Sequence, residues 1–220
     1  MMDNKKLSII YTSLLCGRAL IMRIGIDIDG VLNNLQEYHM AFGTRFCYDH
    51  NLLFTFHPEE YSVRDMFEWD PETEKKFYEA YYAIFLTSPE FIKTHAKDAL
   101  RLLHRQNILY IITARLEEDV PLSMNQSMYD ITKEWLDKNE LCYDHLLFGE
   151  ANKLKLIEQF RLDIMIEDNP VLLKKSGDSK IPFLCFDASY NRIALPENVM
   201  RVHSWYEALI LLNQNYNLLR

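Results

Sequence analysis

Cysteine is sparse in this 220-residue chain, and none of it forms a motif. Cys16, Cys47, Cys142 and Cys185 are scattered with no CxxC pair. That spacing argues against a zinc site and against a disulfide framework, and for reduced thiols in a cytoplasmic protein. Cations are also in deficit, with 24 Lys and Arg against 32 Asp and Glu, a net charge of -8. Such a chain does not hold a nucleic acid polymer by general electrostatics. A small anionic substrate is still compatible, because a bound metal reverses the local field. Long apolar runs are missing too. Lys5 and Lys6 precede an apolar run from Leu7 to Leu15 that faintly resembles a signal peptide. It is short, Arg18 and Arg23 follow it, and no A-x-A-like cleavage site appears. It is also too short to span a membrane, and no other segment could do so. Internal repeats and low-complexity linkers are absent.

What is present is apolar residue, at 49%, enough for a full core in one large domain or one domain with an insert. Five short and nearly continuous apolar runs read as buried strands: Arg23–Ile28, Ile108–Thr113, Asp163–Glu167, Pro182–Phe186 and Val199–Val202. Leu146–Phe148 adds a short sixth. Runs of that kind fit a parallel sheet covered on both faces. Helical patterns lie between them at Thr94–Gln106, Asn125–Asn139, Asn152–Phe160 and Asn169–Ser176, and a last helix begins near Trp205. Strands alternating with helices predict an α/β fold with a doubly wound parallel sheet.

One interval breaks the rhythm. About 80 residues separate the first two strands, far more than a crossover needs. The stretch holds helical patterns at Tyr38–Phe46 and Pro71–Phe85 and is rich in aromatics. It reads as a helical cap inserted after the first strand, over the carboxyl ends of the strands. The expected division is a leader or extension over 1–21, a core of 22–33 and 107–220, and a cap with its return helix over 34–106. Met22 directly precedes the first convincing strand, so a natural start is expected there.

Acidic residues gather where strands end. Asp27-Ile28-Asp29-Gly30-Val31-Leu32 closes the first strand, and ligands of open α/β sheets bind at that edge. A strand would put Asp27 and Asp29 on one face, so the chain must turn there, and Gly30 permits it. Two close carboxylates repel unless a cation or a shared proton compensates, and a magnesium site with oxygen ligands would do so. A capping Asp accounts for one of the two, but not for both beside a glycine. Ile166-Glu167-Asp168-Asn169 repeats the pattern at a later strand end. Asp168 or Asn169 could equally cap the next helix, although capping does not require Glu167.

Thr113 ends the second strand, where a hydroxyl and the following amide, that of Ala114, can bind a phosphate oxygen. Thr is also at home in strands. Arg115 either assists at that site or is a surface cation. Lys153 shares a helix face with Ile157 and Phe160, whereas Lys155 lies with Glu158 and Gln159. A core-side lysine needs an anionic partner, unless it merely snorkels along an apolar surface.

Taken in order over Arg23 to about Phe186, these four motifs resemble the haloacid dehalogenase superfamily of phosphohydrolases. Asp29-Gly30-Val31-Leu32, Thr113-Ala114-Arg115, Met165 to Pro170 and Cys185-Phe186-Asp187-Ala188 are most similar to its 5′(3′)-deoxyribonucleotidase and 5′-nucleotidase branch, whose cap the insert matches. The resemblance implies a magnesium-dependent phosphomonoester hydrolase acting on nucleoside monophosphates. It implies that Asp27 attacks phosphorus and that Asp29 serves as acid and then base. Asp27, the backbone carbonyl of Asp29, and Asp168 would hold magnesium, and Thr113 and Lys153 would bind the phosphoryl oxygens. Glu167 stands where many members carry Asp, so its part at the metal is open. Two other readings stay beside this one: a phosphatase of the same fold for a sugar phosphate or other small ester, and a non-catalytic phosphoacceptor or binding module. A receiver-like module lacks a large insert and has no need of Asp29. The sequence leaves open whether the chain forms a homo-oligomer.

Overall fold

A computed structural model describes residues 21–149 and 153–216. Residues 1–20 of the expected leader, and Asn152 at the start of one expected helix, lie outside the described residues. Six strands form one parallel sheet: β1 (Arg23–Ile26), β2 (Ile108–Thr113), β3 (His145–Phe148), β4 (Ile164–Glu167), β5 (Phe183–Phe186) and β6 (Val199–Val202). Their order is β3-β2-β1-β4-β5-β6. The register places Ile26 beside Ile111 on one side and Ile166 on the other. The strands β1 and β4 are buried nearly throughout because both faces of the sheet are covered.

Alternate residues feed two cores. Ile24, Ile26, Ile111, Ile164 and Ile166 face Leu100 and Leu103 of α4 (Ala96–His104) and Trp205 and Leu209 of α8 (Trp205–Tyr216). Ile112, Met165 and Phe183 face Ile157 of α6 (Lys153–Gln159) and Leu173 of α7 (Pro170–Lys175). A period of two against helical faces makes this a three-layer sandwich. The helix α5 (Met128–Lys138) adds Trp135 and Leu136 to the first core.

Between β1 and β2 lie α1 (Leu35–Asp49), α2 (Val63–Met66) and α3 (Pro71–Thr87). They close a separate aromatic core of Tyr38, Phe46, Phe67, Trp69, Phe77 and Phe85. Phe67 stacks on Trp69 with centroids 4.8 Å apart. Asp70 caps α3 by accepting from the Thr73 amide at 2.7 Å, with Pro71 at its first position. Among the described residues no helix is long and apolar enough to cross a membrane.

Several boundaries differ from the expectation, each for a local reason. Strand β1 stops at Ile26 rather than Ile28, because the Ile28 carbonyl accepts from the amides of Val31, Leu32 and Asn33 in a turn. Helix α4 begins at Ala96 rather than Thr94, since His95 is left-handed at φ 67°. Helix α5 begins after Ser127, whose hydroxyl accepts from the Asp130 amide. Helix α1 runs from Leu35 to Asp49, longer than the expected Tyr38–Phe46.

Candidate active site

The carboxyl ends of β1, β2 and β4 meet at the switch point of the sheet, where successive connections leave in opposite directions. Asp27 follows β1 directly, and its amide donates to the Ile166 carbonyl at 3.0 Å, fixing it beside the end of β4. Glu167 ends β4 and Asp168 follows. One oxygen from each of Asp27, Glu167 and Asp168 lies within 4.8 Å of the others. All three residues are buried.

Lys153 reaches this cluster from the start of α6. Its Nζ lies 2.7 Å from Asp27 Oδ1 and donates to Glu167 Oε2 at 3.0 Å. Lys153 and Ile157 are buried, whereas Lys155 is exposed. The other oxygen of Glu167, Oε1, accepts from the amides of Asp168 at 3.0 Å and Asn169 at 3.1 Å. Asn169 caps α7, accepting from the Val171 amide at 2.8 Å. Both expectations for this segment therefore occur in one turn, with capping by Asn169 and two acids turned inward.

Asp168 is fixed from the other side. Tyr190 donates its hydroxyl to Asp168 Oδ2, and Asn191 Nδ2 donates to the Asp168 carbonyl at 2.9 Å. Its Oδ1 is buried with no hydrogen-bond partner. Gly30, at φ 85°, passes so near that a Cβ there would sit 1.9 Å from Asp168 Oδ2.

Asp29 points elsewhere. Arg115 grips it in a fork, Nη2 to Oδ1 at 2.8 Å and Nε to Oδ2 at 3.0 Å. Asn33 adds a bond from Nδ2 to Oδ1 at 2.8 Å, while its own Oδ1 accepts from the Gly30 amide at 2.9 Å. Arg115 is buried, so it is not the surface cation that the sequence allowed. Thr113 is buried at the end of β2, its hydroxyl accepting from the Arg115 amide at 3.3 Å, and Ala114 is exposed at the same edge.

The charges are unbalanced. Among the described residues, two cations, Lys153 and Arg115, form ion pairs with the carboxylates of Asp27, Asp29 and Glu167, and Lys93 acts on Asp168 from farther off. Burial and the Glu167 charge push Asp27 and Asp168 well above the usual carboxylate range. Burial pushes Glu167 up as well, but Lys153, a hydrogen bond with Asp27 and the Asn169 amide outweigh it and hold the carboxyl below its ordinary value. Burial likewise opposes Arg115 and Asn33 at Asp29, and those two donors prevail. A divalent cation would balance the excess, and the orphaned Asp168 Oδ1 beside Asp27 offers the hard oxygen donors that magnesium takes. Glu167 has less to offer, since both its oxygens already accept bonds.

Asn33, Tyr190, Asn191 and Thr132, whose Oγ1 accepts from Arg115 Nη1 at 3.3 Å, escaped the sequence analysis. Asn33 had a signal, lying three residues past Gly30 in a turn where Asn side chains bind backbone amides. Tyr190 and Asn191 had none, because their link to Asp168 is made by the fold. The insert also reaches this edge: Asn169 Nδ2 donates to Tyr61 Oη at 3.0 Å, and the Tyr61 and Tyr190 rings meet at 5.1 Å.

The family model described as 5′ nucleotidase, deoxy (pyrimidine), cytosolic type C protein matches residues 20–216. A candidate nucleotidase of Bacillus subtilis, YqfW, is 28% identical over 209 residues, covering 89% of this chain and 95% of that protein. Among solved structures, a HAD-superfamily hydrolase from Geobacter sulfurreducens superposes with a TM-score of 0.56 at 18% identity, covering 88% of this chain and 100% of that one. A D,D-heptose 1,7-bisphosphate phosphatase from B. bronchiseptica, complexed with magnesium and phosphate, gives a TM-score of 0.51 at 11% identity, covering 89% and 99%.

Proposed function

The chain belongs to the cytosolic type C 5′-nucleotidase family, with the HAD-type hydrolase fold, and from that premise we propose that it hydrolyses nucleoside monophosphates with magnesium, through a phosphorylated Asp27. The observation that carries this is Lys153 Nζ lying 2.7 Å from Asp27 Oδ1 and 3.0 Å from Glu167 Oε2, beside Asp168, at the switch point. A carboxylate nucleophile with a cation at its oxygen is what phosphoryl transfer to a side chain requires.

In the first step an Asp27 oxygen bonds to phosphorus while the bond to the ester oxygen breaks. The electron pair stays on that oxygen, which takes a proton from Asp29; the negative phosphate bound beside Asp29 offsets the pull of Arg115 and Asn33, so that Asp29 carries that proton in the substrate complex. In the second step water bonds to phosphorus, its proton passes to Asp29, and the bond from phosphorus to Asp27 breaks. Two easier steps replace a difficult one. Asp27, Asp168 and the Asp29 carbonyl would hold magnesium, which would offset the charge of the phosphate against the carboxylates. Lys153, Thr113 and the Ala114 amide bind the phosphoryl oxygens. Glu167 holds Lys153 and the turn into α7, and the contacts of both its oxygens support that part over direct ligation. Residues 22–33 and 107–220 form the catalytic core, and 34–106 a cap with its return helix that selects the substrate and excludes water. The described cysteines, Cys47, Cys142 and Cys185, are free, in keeping with a cytoplasmic enzyme.

The test is a phosphate-release screen over nucleoside monophosphates and sugar phosphates, with magnesium and with chelator, on the wild type and Asp27→Asn. Release from nucleotides that needs magnesium and vanishes in a folded Asp27→Asn protein is expected. Turnover retained by that variant overturns the mechanism, and a preference for sugar phosphates overturns the substrate class.

A further inference from the structure

Arg115 was open to two parts on the sequence, a phosphate contact or a surface cation, and its surroundings favour neither. Its side chain is 2% exposed, against 24% for the Asp29 side chain it grips. The fork uses Nε and Nη2 on Asp29, and Nη1 donates to Thr132 Oγ1 of α5 at 3.3 Å. The guanidinium Cζ lies over the Phe85 ring of α3, 5.8 Å from its centroid. A planar group bonded through all three of its nitrogens and packed beside a ring is fixed in orientation. The carboxylate it grips is therefore fixed as well.

The two oxygens of Asp29 are not equivalent. Oδ1 accepts from both Arg115 and Asn33, whereas the described bond to Oδ2 is from Arg115 alone. We infer that Arg115 is a positioning residue, which orients Asp29 so that Oδ2 exchanges the proton with the leaving oxygen and with the attacking water. The inference rests on the acid and base part proposed for Asp29. The proton leaves Oδ2 as the ester bond breaks, and a water proton returns to it as the bond from phosphorus to Asp27 breaks. Arg115 itself bonds to neither substrate nor phosphate. Phe85 belongs to the insert and Thr132 to the core, so the orientation of Asp29 depends on both parts of the chain.

A group that acts through the acid it grips matters most when the leaving group is poor. Phenyl phosphate releases a phenol with a pKa of about 10 and needs that proton, whereas p-nitrophenyl phosphate releases a stable anion and needs it much less. The experiment measures kcat/KM on both esters, with magnesium, for the wild type, Arg115→Met, Arg115→Lys and Asp29→Asn. Arg115→Met should lose on the order of 10²-fold on phenyl phosphate and under about tenfold on p-nitrophenyl phosphate. Arg115→Lys keeps the charge but not the fork, so it should fall between. Should the Met variant fail to fold, the Lys variant carries the same comparison. Combining Arg115→Met with Asp29→Asn should cost no more than Asp29→Asn alone. The inhibition constant of inorganic phosphate should stay within about threefold, because no phosphate contact is lost.

Equal losses on the two esters, or additive losses in the double variant, overturn the positioning role. A rise of more than about tenfold in the phosphate inhibition constant also overturns it, by placing the guanidinium on the phosphate. A wild type that releases no phosphate from either ester or from any nucleoside monophosphate overturns the proposed function, and this role with it. The first three outcomes, in an active enzyme, remove this role alone.

Discussion

Lys153 Nζ lies 2.7 Å from Asp27 Oδ1, and both side chains are 7% exposed. A charged pair so buried is costly unless its remaining bonds are made. Glu167 makes one of them for Lys153, and the outcome is a cation fixed beside the proposed nucleophile rather than one free to snorkel.

Substitution of that lysine should therefore be felt in the chemistry. Lys153→Ala is expected to lose on the order of 10²–10³ in kcat/KM, the usual cost of one such electrostatic contact. Lys155→Ala, on the exposed side of the same helix, should stay near wild type and change stability by no more than about 0.5 kcal/mol. Steady-state kinetics on the two purified variants decides it. Equal activities would remove Lys153 from the phosphoryl site.

Magnesium should bind and stabilise the protein before any substrate is present. Asp27, Glu167 and Asp168 crowd together with one buried oxygen of Asp168 unpartnered. A ligand of the folded state at 100 times its Kd adds about 2.7 kcal/mol. Thermal unfolding should show Tm rising with magnesium in the wild type and flat in Asp168→Asn. Tyr190→Phe, which removes the hydroxyl donated to Asp168, should weaken the magnesium response about tenfold or more in midpoint concentration. An unchanged response in Asp168→Asn would place the cation elsewhere.

Gly30 is expected to tolerate no side chain. Its φ of 85° disfavours any L residue, and a Cβ would meet Asp168 Oδ2 at 1.9 Å and Tyr190 Oη at 2.8 Å. Backbone strain alone costs on the order of 1–3 kcal/mol. Gly30→Ala should lower Tm and also weaken the magnesium response, because relief of the clash moves Asp168. A variant of lower Tm with wild-type magnesium affinity would show that the turn yields instead.

His39 gives a pH dependence of known sign. It is buried on α1 with Tyr78 Oη 3.4 Å from its Nε2, and Tyr38 and Phe77 also lie against its ring. Burial pushes its pKa down to about 4, against the pull of the Asp29 carboxylate. Above its ordinary value near 6.5 both folded and unfolded forms are neutral, and the full stability is present. As pH falls below that value the unfolded chain takes up the proton first, so stability declines until about 4. His39→Phe should flatten the fall by up to about 1.4 kcal/mol per pH unit. Urea unfolding of both proteins at several values across this window measures the difference. Asp27 and Asp168 titrate in both proteins and cancel. Parallel curves would show that His39 is protonated when folded.

Much of this protein is set by its sequence, because the signals are local. Near-continuous apolar runs require a sheet covered on both faces, and Ile24, Ile26, Ile164 and Ile166 are placed accordingly. An interval too long for a crossover requires an insert, and its aromatics close a core of their own. Acids at two strand ends, with Gly30 between Asp29 and Val31, mark the edge where the site forms. The helical period separates Lys153 from Lys155 before any contact is known.

Tertiary structure decides what those residues touch. The partner of Asp29 is Arg115, supplied by β2's neighbouring loop, with Asn33 from its own turn. Asp168 is held by Tyr190, beyond β5, and Lys153 meets Asp27 only because β1 sits between β2 and β4. Residue type and spacing carry hydrophobic burial and local turn chemistry, which act within a few positions along the chain. Pairing of charges across the sheet depends on strand order and register, and neither is written in any single segment.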